Sequence, residues 1–309
     1  MTRQVHAQVK MSGNNSSTFY DDSNKVSVMH VCIYAFIFLV GLVFNLTALV
    51  VFCRQSKSRS QTITYMTNLA LADILLILTL PVRIYYYSGF SKLPTGLCDA
   101  LGLILKANMY SSILLLTCIS CDRCMAVTFP MSTRVQGWRK KAPFVCLGIW
   151  ILTIGASIPI YLSQQRSRSH CFDEFPVYAT QSYVVYPTLL LGFGIPFVTM
   201  LVSSWGLIRA VQKSIVAQTN LVDSKKIRRM IAASLIIFLI SFLPYHVLIL
   251  LLSLRKNSNP LLTAYRYSLM LACLNTVLDP IAYYFTTDTF RKNMYRDTTQ
   301  RMLPLNSQS

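Results

Sequence analysis

The sequence predicts an all-α membrane protein: a seven-transmembrane helix bundle with a short amphipathic eighth helix. Three observations carry that prediction. Only 13% of the 309 residues are charged and 53% are hydrophobic, whereas an ordinary soluble domain carries about 25% charged residues. Seven long stretches are nearly free of charge. The Lys and Arg residues between those stretches fall unevenly on the two sides. Together these exclude a disordered or fibrous chain and argue against a soluble enzyme. The formal charge of +18 would suit nucleic acid in a soluble protein. With a mean hydropathy of +0.46, it belongs instead at the cytoplasmic membrane edges, and no nucleic-acid partner is expected.

A membrane-crossing helix needs about 20 mostly apolar residues. Residues 26–53 contain no Asp, Glu, Lys or Arg, 60–82 contain only Asp73, and 100–121 only Lys106. Residues 142–165, 175–208 and 230–254 contain none, and 257–287 contain Arg266 and Asp279. The stretch 175–208 exceeds one crossing, so it begins in a loop. The segments 54–61, 130–141, 209–229 and 286–309 carry 17 Lys and Arg, against 8 in 1–27, 88–97, 163–180 and 255–260. The richer side is cytoplasmic by the positive-inside rule. The expected organisation is an extracellular N-terminus over 1–27, a transmembrane domain over 28–287, and a cytoplasmic amphipathic helix with tail over 288–309. No cleavable leader pattern opens the chain, so the first helix is expected to direct insertion. Asn14 and Asn15 begin overlapping glycosylation sequons on the outer side.

Of nine cysteines, Cys98 opens the third helix and Cys171 lies in the loop before the fifth. Both face the oxidising side, where disulfides persist, and are predicted to be bonded. The other seven read as small buried residues. No pair has zinc-like spacing, so no metal site is expected. Ionisable groups at membrane depth are costly and read as functional. The cytoplasmic half holds Asp73, Asp122, Arg123 and Asp279; the outer half holds Arg83, Lys106 and Arg266.

Over essentially its whole length the chain resembles the rhodopsin-like (class A) G-protein-coupled receptors. The matching motifs run in order through the helices: Gly41 to Asn45, Asn68 to Asp73, Cys98, Cys121-Asp122-Arg123-Cys124, Trp150, Pro196, Phe242 to Tyr245, and Asn275 with Leu278 to Tyr283. The resemblance implies a sodium and water pocket of Asp73, Ser112, Asn275 and Asp279; a purely structural hydrogen-bond network is the alternative. It implies that Asp122 holds Arg123 in the inactive state and that Arg123 contacts a G protein. Ile113, Pro196, Phe238 and Phe242 take the place of the family's trigger. Pro244 and Pro280 create kinks that can pivot. Tyr283 belongs to the activation motif, and Met131 resembles the apolar knob for the G-protein α-subunit. The chain departs from the family pattern at Cys124, Ser204 and Ser224, which implies a weakly latched inactive state.

The outer cations point to an anionic ligand. Arg83 lies ten residues outward of Asp73 and Lys106 eight residues inward of Cys98, about 15 Å and about 12 Å along a helix. With Arg266 they are expected at one depth, where three cations repel unless an anion joins them. Arg grips carboxylate or phosphate through two bonds, and Lys acts as a point charge. Tyr86, Tyr110, Tyr245 and His246 offer donors and aromatic walls, and Arg166 in the second outer loop extends a cationic funnel. Leu105 and Cys273 stand where the family's amine and retinal receptors carry Asp and Lys. Longer matches, including Leu80 to Tyr87 and Phe242 to His246, resemble the purinergic and lysophospholipid-receptor branch, in particular G-protein-coupled receptors 35 and 55. That branch implies a plasma-membrane receptor for a lysophospholipid or a kynurenate-like acid. It also implies coupling to an inhibitory or Rho-activating G protein, with arrestin and a receptor kinase downstream. A nucleotide receptor, a silent scavenger and a transporter are the alternatives. No cofactor other than the sodium ion is expected.

Overall fold

The computed structural model describes residues 3–55, 61–90, 92–164, 171–172, 179, 181–216, 224–255 and 259–286. Side chains are described within these ranges except at 3–27, 55, 159–164, 214–216, 224–227, 230, 259 and 282–286. The expected eighth helix, Arg166 and the side chains of Asn14, Asn15 and Tyr283 therefore lie outside the described residues.

Every long element is a helix, because runs of Leu, Ile, Val and Phe can satisfy their backbone groups in lipid only internally. They are α1 (Arg3–Gln55), α2 (Gln61–Ile77), α3 (Leu80–Tyr87), α4 (Thr95–Thr128), α5 (Thr133–Arg139), α6 (Ala142–Gln164), α7 (Ser182–Pro187), α8 (Ile195–Val216), α9 (Ser224–Leu254) and α10 (Asn259–Thr286). Among the described residues, six spans are long and apolar enough to cross a bilayer: Val28–Arg54, Gln61–Tyr87, Thr95–Thr128, Ser182–Lys213, Ile231–Leu254 and Pro260–Ile281. The short helix α5 and α6, bent by 41° at their junction, make a seventh when the pair is counted as one span, with α6 as its apolar part.

Two spans are interrupted. Between α2 and α3 the Thr79 hydroxyl donates to the Leu76 carbonyl at 2.6 Å, and Pro81 sits in the first turn of α3, where its missing N–H costs nothing. In the fifth span, Thr188–Gly194 forms a wide π-helical turn between α7 and α8. Such turns are frequent at functional sites. Here the turn carries Gly192 and Phe193 to the bundle interior.

The bundle is organised on α4, which packs against α2, α6 and α8, while α9 packs chiefly on α10. The core holds Met66, Leu69, Met109, Ile113, Phe238, Phe242 and Tyr245, all nearly inaccessible. Gly41 lets α1 approach α2: a Cβ there would lie 3.1 Å from the Ile77 Cδ1. The outward faces stay apolar, as with Phe144, Leu147 and Ile151 on α6. This suits lipid, where large exposed hydrophobes carry no penalty. The same reason corrects the cysteine expectation. Cys146 and Cys273 are buried and Cys118, Cys121 and Cys124 half-buried, but Cys32 and Cys53 are exposed, because a thiol facing lipid needs no cover from protein.

Candidate functional site

Three polar stations lie at successive levels of the bundle, and each draws on α4. The outermost contains Arg83 of α3 and Lys106 of α4, which are 2% and 8% exposed. The covalent bond from Cys98 to Cys171, with a Cα–Cα distance of 5.4 Å, holds Cys171 and Phe172 beside Arg83. Next to the cystine, Phe172 lies under the Arg83 guanidinium, whose Cζ is 4.4 Å from the ring centroid. A cation over an aromatic face is attracted by the ring quadrupole. Arg83 Nη2 donates to the Leu101 carbonyl at 3.2 Å, but its Nε is buried without a hydrogen-bond partner.

Lys106 is close enough to Arg83 for their charges to interact. Its Nζ lies 3.9 Å from the Tyr245 ring centroid and hydrogen-bonds the Tyr245 hydroxyl. Tyr245 in turn meets Tyr265 at 5.9 Å and His246 at 5.0 Å. Tyr110 reaches His246 at 6.0 Å because position 192 is glycine; a Cβ there would meet the Tyr110 ring at 2.9 Å. Tyr86 is buried and packs edge-on against Phe172 at 5.0 Å. Arg266 is half-buried, one residue beyond Tyr265 on α10.

The middle station is acidic. Asp73 accepts from Asn108 Nδ2 at 3.1 Å, and Asp279 accepts from Asn275 Nδ2 at 2.6 Å. Each carboxylate thus satisfies one oxygen within the protein. Asp73 Oδ2, Asp279 Oδ1, Asn275 Oδ1 and the Ser112 hydroxyl are buried with no protein partner. Four hard oxygen atoms, two of them carboxylate, fit a small hard cation with its waters. Phe238 packs on Phe242 at 5.5 Å, on Phe193 at 5.5 Å and on Phe197 at 5.9 Å, in one core cluster with the fully buried Ile113, the residue after Ser112. Pro196 stands immediately before Phe197, Pro244 interrupts α9 and Pro280 interrupts α10.

At the third station, on the side expected to be cytoplasmic, the Asp122 charge acts on Arg123, but the hydrogen bonds of Asp122 go elsewhere. Its Oδ1 accepts from Arg139 Nε at 2.7 Å, and its Oδ2 accepts from Arg139 Nη2 at 3.2 Å and from the Thr62 hydroxyl at 2.5 Å. The forked guanidinium of α5 matches both carboxylate oxygens. Arg123 instead lines a crevice with Ile119, Ser120, Ser204, Leu207, Ile231 and Ser234, and its Nε has no partner. Met131 is 89% exposed just before α5.

Residues 44–283 match the family model described as 7 transmembrane receptor (rhodopsin family). The chain belongs to that family. The receptor is 33% identical over 303 residues to lysophosphatidic acid receptor 6 of Homo sapiens, an alignment covering 92% of this chain and 88% of the relative. It is 33% identical over 306 residues to lysophosphatidic acid receptor 4 of Mus musculus, covering 93% and 82%. It is also 34% identical over 279 residues to cysteinyl leukotriene receptor 1 of Homo sapiens, covering 85% and 82%. It is thus a multi-pass membrane receptor of the lipid-receptor branch and not an enzyme.

Sequence reasoning about the receptor missed Phe172, Asn108, Arg139, Gly192 and the ring pair Phe193 and Phe197. Two of these left a readable signal. Phe172 directly follows the loop cysteine, and Asn108 is a polar residue at membrane depth two positions from Lys106.

Proposed function

We propose that this receptor detects an extracellular lysophospholipid or a similar organic anion and passes the signal to a heterotrimeric G protein. The observation that carries this reading is the burial of Arg83 beside Lys106, two cations within electrostatic reach, with an Arg83 N–H left for a guest. The names of the relatives support a lipid acid. An anion between the two groups removes their repulsion and supplies acceptors for Arg83 and Lys106, with Arg266, Tyr86 and Tyr110 completing the wall. It favours whichever bundle packing brings these groups together. Tyr245 and His246 lead from that station to the Phe238 and Phe242 pair on the same helix. A shift of α9 there opens the crevice beside Arg123, where the α-subunit docks with Met131 as an apolar contact. The inhibitory or Rho-activating class of G protein is the one the branch suggests, with arrestin and a receptor kinase acting afterwards. The N-terminus faces outward and the C-terminus inward, as the Lys and Arg distribution supports.

Asp73, Ser112, Asn275 and Asp279 are proposed to hold a sodium ion. Bound there, it neutralises the two carboxylates and favours the packing that keeps α10 against α2.

The test is G-protein activation in mammalian cells against a panel of lysophospholipids, aromatic acids and nucleotides. A response to a lysophospholipid that disappears in Arg83→Ala, with surface expression unchanged, is the expected result. A response to nucleotides alone would transfer the receptor to another ligand class. A lipid response indifferent to Arg83 would remove the anion site altogether.

A further inference from the structure

His246 has one ring nitrogen committed and one free. Nδ1 lies 2.7 Å from the Phe242 carbonyl oxygen. A carbonyl only accepts, so Nδ1 carries a proton and donates. Nε2 is buried with no hydrogen-bond partner, in a side chain 1% exposed. The ring is fixed in place: it stacks on Phe193 at 4.5 Å and stands edge-on to Tyr245 at 5.0 Å. Lys106, which grips Tyr245, adds positive charge next to it. A second cation buried there would be costly, so the ring is neutral. The bond at Nδ1 then sets the tautomer, and Nε2 presents a lone pair. The cluster around Lys106 therefore combines donors for an acid with an orphan acceptor at His246 Nε2.

We infer that His246 Nε2 accepts a hydrogen bond from a hydroxyl group of the bound ligand, which narrows the ligand class to anions carrying a hydroxyl a few bonds from the acid. The inference rests on the reading that Arg83 and Lys106 bind the acid. A lysophosphatidate meets both demands: its phosphate is esterified to one glycerol carbon and its free hydroxyl is on the next. A plain fatty acid offers the charge without the donor. A ligand lacking the hydroxyl leaves the buried lone pair unpaired, and such a loss weakens a complex roughly tenfold.

The experiment compares 1-oleoyl lysophosphatidate with its 2-deoxy analogue, in which hydrogen replaces the glycerol hydroxyl, by concentration for half-maximal G-protein activation. The wild-type receptor is expected to respond to the deoxy compound about tenfold more weakly. In His246→Phe the two compounds should become equipotent. His246→Asn provides a second variant, because its amide nitrogen replaces Nδ1 on the Phe242 carbonyl while nothing replaces Nε2; the same equality is expected. Equal potency in the wild type overturns the inference while leaving the anion site standing, since both lipids still act through Arg83. A wild-type preference that survives in a variant reaching the cell surface overturns it too, because another group must then read the hydroxyl. If neither lipid activates the wild type, the anion reading fails for this class and the inference fails with it.

Discussion

The outer and cytoplasmic stations both contain a buried charge, yet they are built in opposite ways. At Asp122 the protein supplies every partner: two guanidinium N–H groups from Arg139 and a hydroxyl from Thr62 occupy both oxygens. At Arg83 it supplies a carbonyl, the Tyr34 hydroxyl and an aromatic face, sets a second cation within reach, and leaves Nε unpaired. A station complete in itself is a joint. One with a donor left over suits the guest proposed for it. The acidic pocket around Asp73 lies between these two cases, with one oxygen of each carboxylate satisfied and the other not.

The largest effect expected from this contrast is at Arg83. Replacing it with Ala should cost roughly 2–4 kcal/mol of ligand binding, or about thirty- to a thousandfold in potency, as for other truncated partners of buried charged hydrogen bonds. Lys106→Ala should cost less, about tenfold, as for one charge-assisted hydrogen bond. Competition binding with a labelled lysophosphatidate measures both, and a loss below threefold at Arg83 would erase the distinction between the stations.

A smaller effect is expected at the joint. Arg139→Gln strips Asp122 of its fork and should lower the melting temperature of the solubilised receptor by several degrees, corresponding to about 1–2 kcal/mol. Asp122→Asn should do the same. The double variant should be less destabilised than the sum, since the two residues form one unit. Simple additivity would show that the pair is decorative. Sodium should give the smallest shift. Raising sodium at constant ionic strength should weaken agonist binding a few-fold in the wild type and not in Asp73→Asn. Retained sodium sensitivity in the variant would leave the middle station as a hydrogen-bond network only.

What the sequence made legible follows the range over which each signal acts. Charge-free stretches of helical length placed the spans, because a bilayer imposes one length on each of them. Counting residues at the helical rise was enough to expect Arg83 near Lys106, and their charges do interact, although the break between α2 and α3 lies between Asp73 and Arg83. The Asp122 partner was not legible. Arg139 lies 17 residues downstream across a turn and the short helix α5, and nothing in either residue's neighbours marks the pairing. The Phe172 contact depends on a covalent link at the preceding Cys171, and the place of Tyr110 depends on the missing Cβ of Gly192 within a π turn. Neither depends on helical periodicity. The three oxygens beside Asp73 were found only because their motifs are spread over α4 and α10 in a familiar order.

The cystine and the Asp122–Arg139 pair have a joint mechanical consequence. The cystine clasps the outer end of α4 to chain 73 residues further on. The ion pair clasps the inner end to α5, which leads directly into α6. One strut is thus fastened at both ends to the segment that follows it, and α8 is packed along its side. By contrast, α9 leans on α10 and touches α4 only lightly. On the proposed function, α4 with α6 and α8 would act as a stator and α9 with α10 as a rotor, so that a ligand at Arg83 and Lys106 would produce displacement at the other end of α9.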